Sequence, residues 1–378
     1  MNKELIGKRI REEREKSGLT QGDLASRMGW NSHAIVVEVE AGRRDVKAWE
    51  LVKLADALCV DLHALLMLSA TTTRPYVFWR ARPLEDAALL EKKFLQRSDD
   101  YGFLESQVIQ KTVVRESLPI HPIDPEAADW DWANDLADKV RSSLGLGSFP
   151  AANLTKVLEE RYGVRFLSLP LGENGSAASS RHSDVSSVLI NSDEVPWRQI
   201  FSVAHEVFHL VTWDEKLFRQ IENSAPLKDR IEKLANAFAA GLLMPEDSLR
   251  AELRALTDDS RLSFSSLVVI ATKFGVSISA LLWRMVSLNL LARTKAEELL
   301  QDDELKRIDR MQRRGAKESA VNFGYRFIHL AYMSYQKGRL SKARLSKLLG
   351  VSLLDVEPYL FEQGLAEVAD YEIAISHS

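Results

Sequence analysis

The feature that most restricts how this chain can fold is the pentad His205-Glu206-Val207-Phe208-His209, set in a run from Gln199 to Trp213. Residues four apart on a helix lie one above the other, so both imidazoles face the same way and can meet one ion at about 2.0–2.1 Å. The positions around them are Ile200, Phe201, Val203, Ala204, Val207, Phe208, Leu210 and Val211, apolar on nearly every side. A helix apolar all round is a buried helix. Burying two histidines and a carboxylate without partners costs on the order of several kcal/mol, and a metal ion removes that conflict.

A hydrolytic zinc site takes three protein ligands and keeps one position open, so a third donor is expected downstream. Glu232 is the best candidate. One helical turn later Asn236 shares its face, where an amide can orient a ligand from behind. Phe238, Ala239, Leu242, Leu243 and Met244 form an apolar stripe that would press this helix onto the first, and Pro245 stops it. Of the other histidines, His33, His63, His121, His329 and His377 read as ordinary surface or core residues. His182, in the polar stretch before the pentad, is a candidate to line the cleft.

Composition narrows the class. The 378 residues carry 50 Lys+Arg, 54 Asp+Glu and one cysteine, so no disulfide framework is built, and Cys59 reads as a small buried hydrophobe in a reducing compartment. The charged opening Met1 to Arg14 lacks the apolar stretch of a secretion signal. Lys273 and Arg284 interrupt the most apolar region, Leu267 to Leu291, which reads as a core helix pair and not a membrane span. A cytoplasmic protein is expected.

The pattern along the chain is mainly α with a small β-sheet, an α+β class. Residues 1–67 read as five short helices with tight joints: Thr20 caps a helix with Asp23 at its third position, Gly29 ends it, and Asn31 or Ser32 caps the next. Two further helices are expected over Arg44 to Lys53 and Asp56 to Leu66. Residues 68–130 read as a connecting region with a short strand near Tyr76 to Trp79, a helix near Ala87 to Gln96 and a proline-rich boundary from Ser117 to Pro125. From 131 to 290, helices over Asn134 to Leu144 and Leu154 to Tyr162 precede strands at Val164 to Leu169 and Ser186 to Asn191, with a polar loop, Gly172 to Asp184, between them. Residues 291–378 read as a helical C-terminal region, opened by a charge-mixed helix over Lys295 to Arg314.

Two stretches resemble known families. Phe201 to His209 reads FxxAHExxH, and Glu232 to Pro245 agrees at nearly every position with E-x-x-A-[ND]-x-F-A-x-x-L-L-M-P. By these motifs about Asp131 to Leu290 resembles the ImmA/IrrE family of zincin-like, zinc-dependent metallopeptidases. That resemblance implies Zn2+ bound by His205, His209 and Glu232, with Glu206 as the general base that takes a proton from water and passes it to the leaving amine. Val207-Phe208 replaces the usual Leu-Gly, and the bulk of Phe208 is expected to narrow the approach. Candidate oxyanion donors are His182 and Tyr162.

Residues 5 to 66 resemble the Cro/C1-type (XRE) helix-turn-helix domain through Leu19-Thr20-Gln21, Asp23-Leu24-Ala25, Gly29, Glu40-Ala41-Gly42-Arg43-Arg44 and Leu51 to Leu58. The resemblance implies operator DNA as a partner, Gln21 at a phosphate, Ser32 and His33 facing bases, and phosphate roles for Arg43 and Arg44. It also leaves room for a homodimer. Physical reading tempers this. Met1 to Met67 holds eleven basic and eleven acidic residues, so no net charge draws it to phosphate, and Ile35, Val36, Val37 and Val39 are unusually aliphatic for a base-reading helix.

Two functions follow. One is a transcriptional regulator whose zinc endopeptidase domain cleaves a protein partner, such as a helix-turn-helix repressor, or itself under stress. The other is a repressor or antitoxin-like regulator whose peptidase-like domain is a sensor or docking module with little catalysis.

Overall fold

The structure is a computed structural model that describes residues 3–58, 60, 62, 65, 75–83, 86–108, 115–173, 175–182, 185–257, 261–313 and 323–365. It divides into two compact units, Met1–Gln96 with Arg115–Val321, and Arg97–Val114 with Asn322–Ser378.

The first unit opens with helices Lys3–Lys16, Gln21–Met28, Ala34–Glu40 and Ala48–Leu58. Thr20 and Asp23 form the expected capping box, and Gly29 closes the second helix in the left-handed conformation at φ 68°. Gly42 is required at its turn, because φ is +67° and a Cβ would sit 2.7 Å from Glu4 Cα. Ile10, Leu24, Val36, Leu54 and Leu58 are fully buried between these helices. The last helix does not break at Lys53, since nothing before Leu58 interrupts the pattern. Most of the expected fifth helix beyond Leu58, Cys59 and His63 included, lies outside the described residues.

A four-stranded sheet is built from β1 (Val77–Trp79), β2 (Arg165–Leu169), β3 (Ala177–His182) and β4 (Val185–Asn191), in the order β1-β3-β4-β2. β2 runs parallel to β4, and β3 runs antiparallel to both of its neighbours. Two expectations are corrected here. The stretch Gly172 to Asp184 is not all loop: Ala177-Ala178-Ser179-Ser180 are buried in β3. Small side chains, two of them hydroxyls, conceal a strand that is buried on both faces, because no apolar alternation is present to betray it. The region 68–130 is also more than a connection, since its strand β1 pairs with β3 in the register Phe78↔Ser179. Its proline-rich end is tied in as well, through the His121 amide donating to the Val211 carbonyl at 2.6 Å.

Helix Trp130–Leu144 begins four residues before the expected Asn134, because the Asp129 side chain accepts from the Trp132 amide and caps it there. Pro196–Val211 carries the pentad, and Ala225–Leu243 carries Glu232 and Asn236. Pro245 ends the second of these as expected. Phe264–Lys273 and Ile278–Ser287 form the predicted helix pair, bent by 93°. Among the described residues no single helix is long and apolar enough to cross a membrane. Helices Arg293–Gln301 and Asp303–Gln312 fall in this first unit and not with the chain's end. Arg313 fastens them, donating to the Val276 carbonyl at 2.8 Å and lying over the Trp197 ring.

The second unit combines the later turns of helix Ala87–Val108 with helices Tyr325–Gln336, Lys342–Leu349 and Val356–Glu362. Tyr101 packs on Phe327 at 5.7 Å between ring centres, and Arg344 pairs with Asp100. Ser341 caps the second of its C-terminal helices.

Candidate metal centre

The pentad helix starts at Pro196, whose fixed φ suits the first helical turn, and every residue from Ser202 to Val211 is buried. His205 Nε2 stands 3.2 Å from His209 Nε2 and 3.0 Å from Glu232 Oε2; Glu232 Oε1 is 3.6 Å from His209 Nε2. The expected triad therefore converges. Among the described residues it is the group of His, Cys, Asp and Glu donors that could hold a metal ion. Donors about 2.0–2.1 Å from a tetrahedral ion lie roughly 3.3 Å from one another, so the spacing fits such an ion.

Protonation agrees. Burial holds the His205 ring well below its ordinary pKa, helped by the Arg80 charge, and burial pushes His209 down to about 3. Both rings are neutral and keep a lone pair for a cation. Asn236 sets which nitrogen that is: its Oδ1 can only accept, so His205 Nδ1–H donates to it at 3.0 Å and leaves Nε2 free toward the other donors. Arg80 Nη2 approaches the same oxygen at 3.5 Å, and Arg80 Nη1 donates to Ser202 at 2.9 Å.

Glu206 lies beside the triad, not in it. Both of its oxygens are buried without a hydrogen-bond partner. Burial pushes its carboxyl up to about 8, with the Glu232 charge adding to the rise against the Ser179 hydroxyl and the Arg80 charge. A buried, unpartnered carboxyl with so altered a proton affinity is costly as structure and suited to proton transfer.

The surroundings hold residues that the sequence did not single out. Phe78 of β1 is fully buried with its ring centre 4.5 Å from that of His209 and 4.5 Å from Phe218. Its strand partner Ser179 lies by Glu206. Arg80 follows β1 directly. No local signal marks Phe78 or Arg80, which stand over a hundred positions from the pentad; an arginine after a short apolar run was the only trace. Phe208, whose bulk was expected to narrow the approach, is fully buried. It lies edge-on to Trp132 and beside Phe238, packing the pentad helix onto its neighbours. Neither candidate oxyanion donor joins the donors: His182 is exposed at the end of β3, and the Tyr162 hydroxyl donates to the Ser143 carbonyl.

The N-terminal candidates are brought together differently. Gln21 donates to Glu40 at 3.0 Å, and Glu40 is buried in a two-bond pair with Arg14 at 2.6 and 3.0 Å. Arg43 pairs with Glu38, and Arg44 pairs with the buried Glu50 while lying over Trp30. Ser32 and His33 are exposed, but Ser32 Oγ accepts from the Ala34 amide, and His33, not Asn31 or Ser32, stands at the cap position.

Comparison with known proteins agrees with both halves. Residues 159–285 match the family described as IrrE N-terminal-like domain, and residues 5–66 match a helix-turn-helix domain family. The radiation response metalloprotease IrrE of Deinococcus deserti is 28% identical over 151 residues, 39% of this chain and 51% of that protein. Its namesake from Deinococcus radiodurans is 32% identical over 127 residues, 32% of this chain and 37% of that one. The chain thus spans about half the length of these relatives or less.

Proposed function

From a chain that joins a helix-turn-helix domain to an IrrE-like domain, we propose a cytoplasmic transcriptional regulator with a zinc-dependent endopeptidase, acting on a protein partner, such as a helix-turn-helix repressor, or on itself under stress. The observation that carries this is the convergence of His205, His209 and Glu232 beside a buried Glu206 with no partner. Zinc, when bound, supplies Lewis-acid polarisation of a peptide carbonyl and acidifies water. The chain's residues do the rest. Asn236 holds the His205 tautomer, and Glu206 accepts a proton from water and returns it to the departing amine. A proton affinity raised by burial and lowered again by a neighbouring cation would bring Glu206 toward neutrality, the range in which one carboxyl both takes and returns a proton.

The purified chain is expected to hold close to one zinc per molecule by plasma mass spectrometry and to cut β-casein. Glu206→Gln should keep the zinc and lose cleavage by roughly 10²–10⁴-fold. Zinc-free protein after chelator-free purification sinks the site; undiminished cleavage by the variant sinks the role of Glu206.

A second reading, a sensor or docking module with little turnover, is favoured by one observation. β1 covers the edge of β3 beside Glu206, where an extended peptide would add as a strand, and Phe78 closes over His209. Phe78→Ala should raise casein cleavage if this strand keeps the enzyme latent; no change with zinc in place supports the non-catalytic module. Operator binding through Ser32, His33, Arg43 and Arg44 rests on the domain match. Both arginines must exchange a carboxylate for a phosphate to contribute.

A further inference from the structure

Asn236 and Arg80, which support His205, also stand in the wall of a cavity of about 900 Å³. That lies within the range of small-molecule sites, and its character matches: mostly apolar, with a few polar groups. Trp130, Trp197, Phe201 and Trp283 supply the rings. The charged groups are unequal. Arg198 and Arg293 in the same wall are paired with Glu194 and Glu297. Asp131 is the acid of the wall, and it is exposed.

Arg284 differs from these. It is 5% exposed, and among the described residues no carboxylate lies within ion-pair distance of it. Its Nε donates to the Met244 carbonyl at 3.2 Å and its Nη1 to Asn134 at 2.6 Å, both neutral acceptors. Nη2 is left over. Among the described residues Arg80 likewise donates to the neutral acceptors Ser202 and Asn236. Two guanidinium groups whose direct contacts are neutral therefore border one apolar, tryptophan-walled space; the acids that act on them, Glu246 and Asp138 for Arg284 and Glu206 and Glu232 for Arg80, stand beyond ion-pair distance among the described residues. A largely buried cation whose acids stand off beyond contact gains when an anion completes its hydrogen bonds.

We propose that this cavity binds a small planar aromatic carboxylate, with its ring among Trp130, Trp197 and Trp283 and its carboxylate at Arg284 Nη2. One free guanidinium nitrogen suits a carboxylate monoanion better than a phosphate, which asks for donors from several sides. Indole faces suit a flat ring, and the cavity has room for two fused rings. The site is separate from the metal donors and requires no metal to be tested.

The probes are 2-naphthoate and its neutral analogue 2-naphthamide, titrated calorimetrically into the full chain with and without EDTA. The acid is expected to bind about tenfold or more tighter than the amide, as a charge-assisted hydrogen bond in a buried site provides. Arg284→Gln should erase that preference, and Trp283→Ala should weaken both probes. Equal affinity for acid and amide overturns the proposal, as does a preference that survives Arg284→Gln. Should the glutamine variant fail to fold, Trp283→Ala and Trp130→Ala decide the matter, since both rings are partly exposed, 38% and 54%. Binding of 2-naphthoate unaffected by either also overturns it. Arg80 is left unchanged, because it supports His205 as well.

Discussion

The candidate metal centre and the helix-turn-helix surface both gather charged and polar side chains, yet they treat them in opposite ways. Around His205 and Glu206 the groups are buried and left wanting: both Glu206 oxygens, His209 Nδ1 and Glu232 Oε1 have no partner. Around Ala34–Glu40 the candidate contacts are largely used up, with Gln21 on Glu40, Arg43 on Glu38 and Arg44 on Glu50. The lesson is about where unmet demand lies. A buried polar group without a partner costs about 1–3 kcal/mol and persists where a ligand or reaction supplies the missing contact; a satisfied one already serves the fold.

Removing a satisfied charge should therefore cost stability and nothing else. Glu40→Ala leaves the buried Arg14 with only Glu15 at 3.4 Å and the Leu19 carbonyl, and is expected to destabilise the N-terminal helices by about 1.5–3 kcal/mol, read by hydrogen exchange at Ile10 and Leu24. Full protection in the variant would mean that the pair is not structural. At the metal centre the supporting residue should matter for affinity instead. Asn236→Ala is expected to weaken zinc binding by about 10–100-fold in a chelator competition while leaving the fold's melting temperature with excess zinc nearly unchanged. Wild-type affinity would remove Asn236 from the site's support.

A smaller effect follows from proton affinities in EDTA-treated protein. His209 is held down at about 3 from 6.5, so the unfolded chain takes up protons that the folded one refuses, and stability falls as pH drops below about 6.5. Glu206 is held up at about 8 from 4.5, so the folded chain keeps a proton that the unfolded one has lost, and stability falls as pH rises between those values. Glu206→Gln deletes the second limb alone. The melting temperature of the variant minus that of the wild type should climb from pH 4.5 to 8; a flat difference contradicts the buried, unpartnered carboxyl. The least effect belongs to the paired surface arginines. Arg43→Gln should lower the salt slope of operator binding by less than the value of about one expected for a free phosphate contact. A full unit would show that Glu38 releases it.

Much of the site was legible because its signals are local. His205, Glu206 and His209 lie within one helical turn and a half, and Glu232 opens a motif whose apolar stripe announces its own packing. Caps were equally readable at Thr20 and Gly29. The misses share one cause. The buried part of β3 is two alanines and two serines whose burial comes from the elements packed on them, and Phe78 and Arg80 act through contacts with residues a hundred positions away. Neither kind of information is present in spacing or in composition.

The amino-acid order alone thus determined that two imidazoles and a carboxylate would be buried on one helix, at a cost that a cation would relieve, since helical periodicity and the cost of dry polar groups are properties of neighbours in the chain. Tertiary structure decided what surrounds them: β1 over the edge of β3, Phe78 against His209, Arg80 behind Asn236, and acids on most cations of the N-terminal helices. Those are long-range pairings, and which of many available partners a side chain takes depends on how whole elements pack.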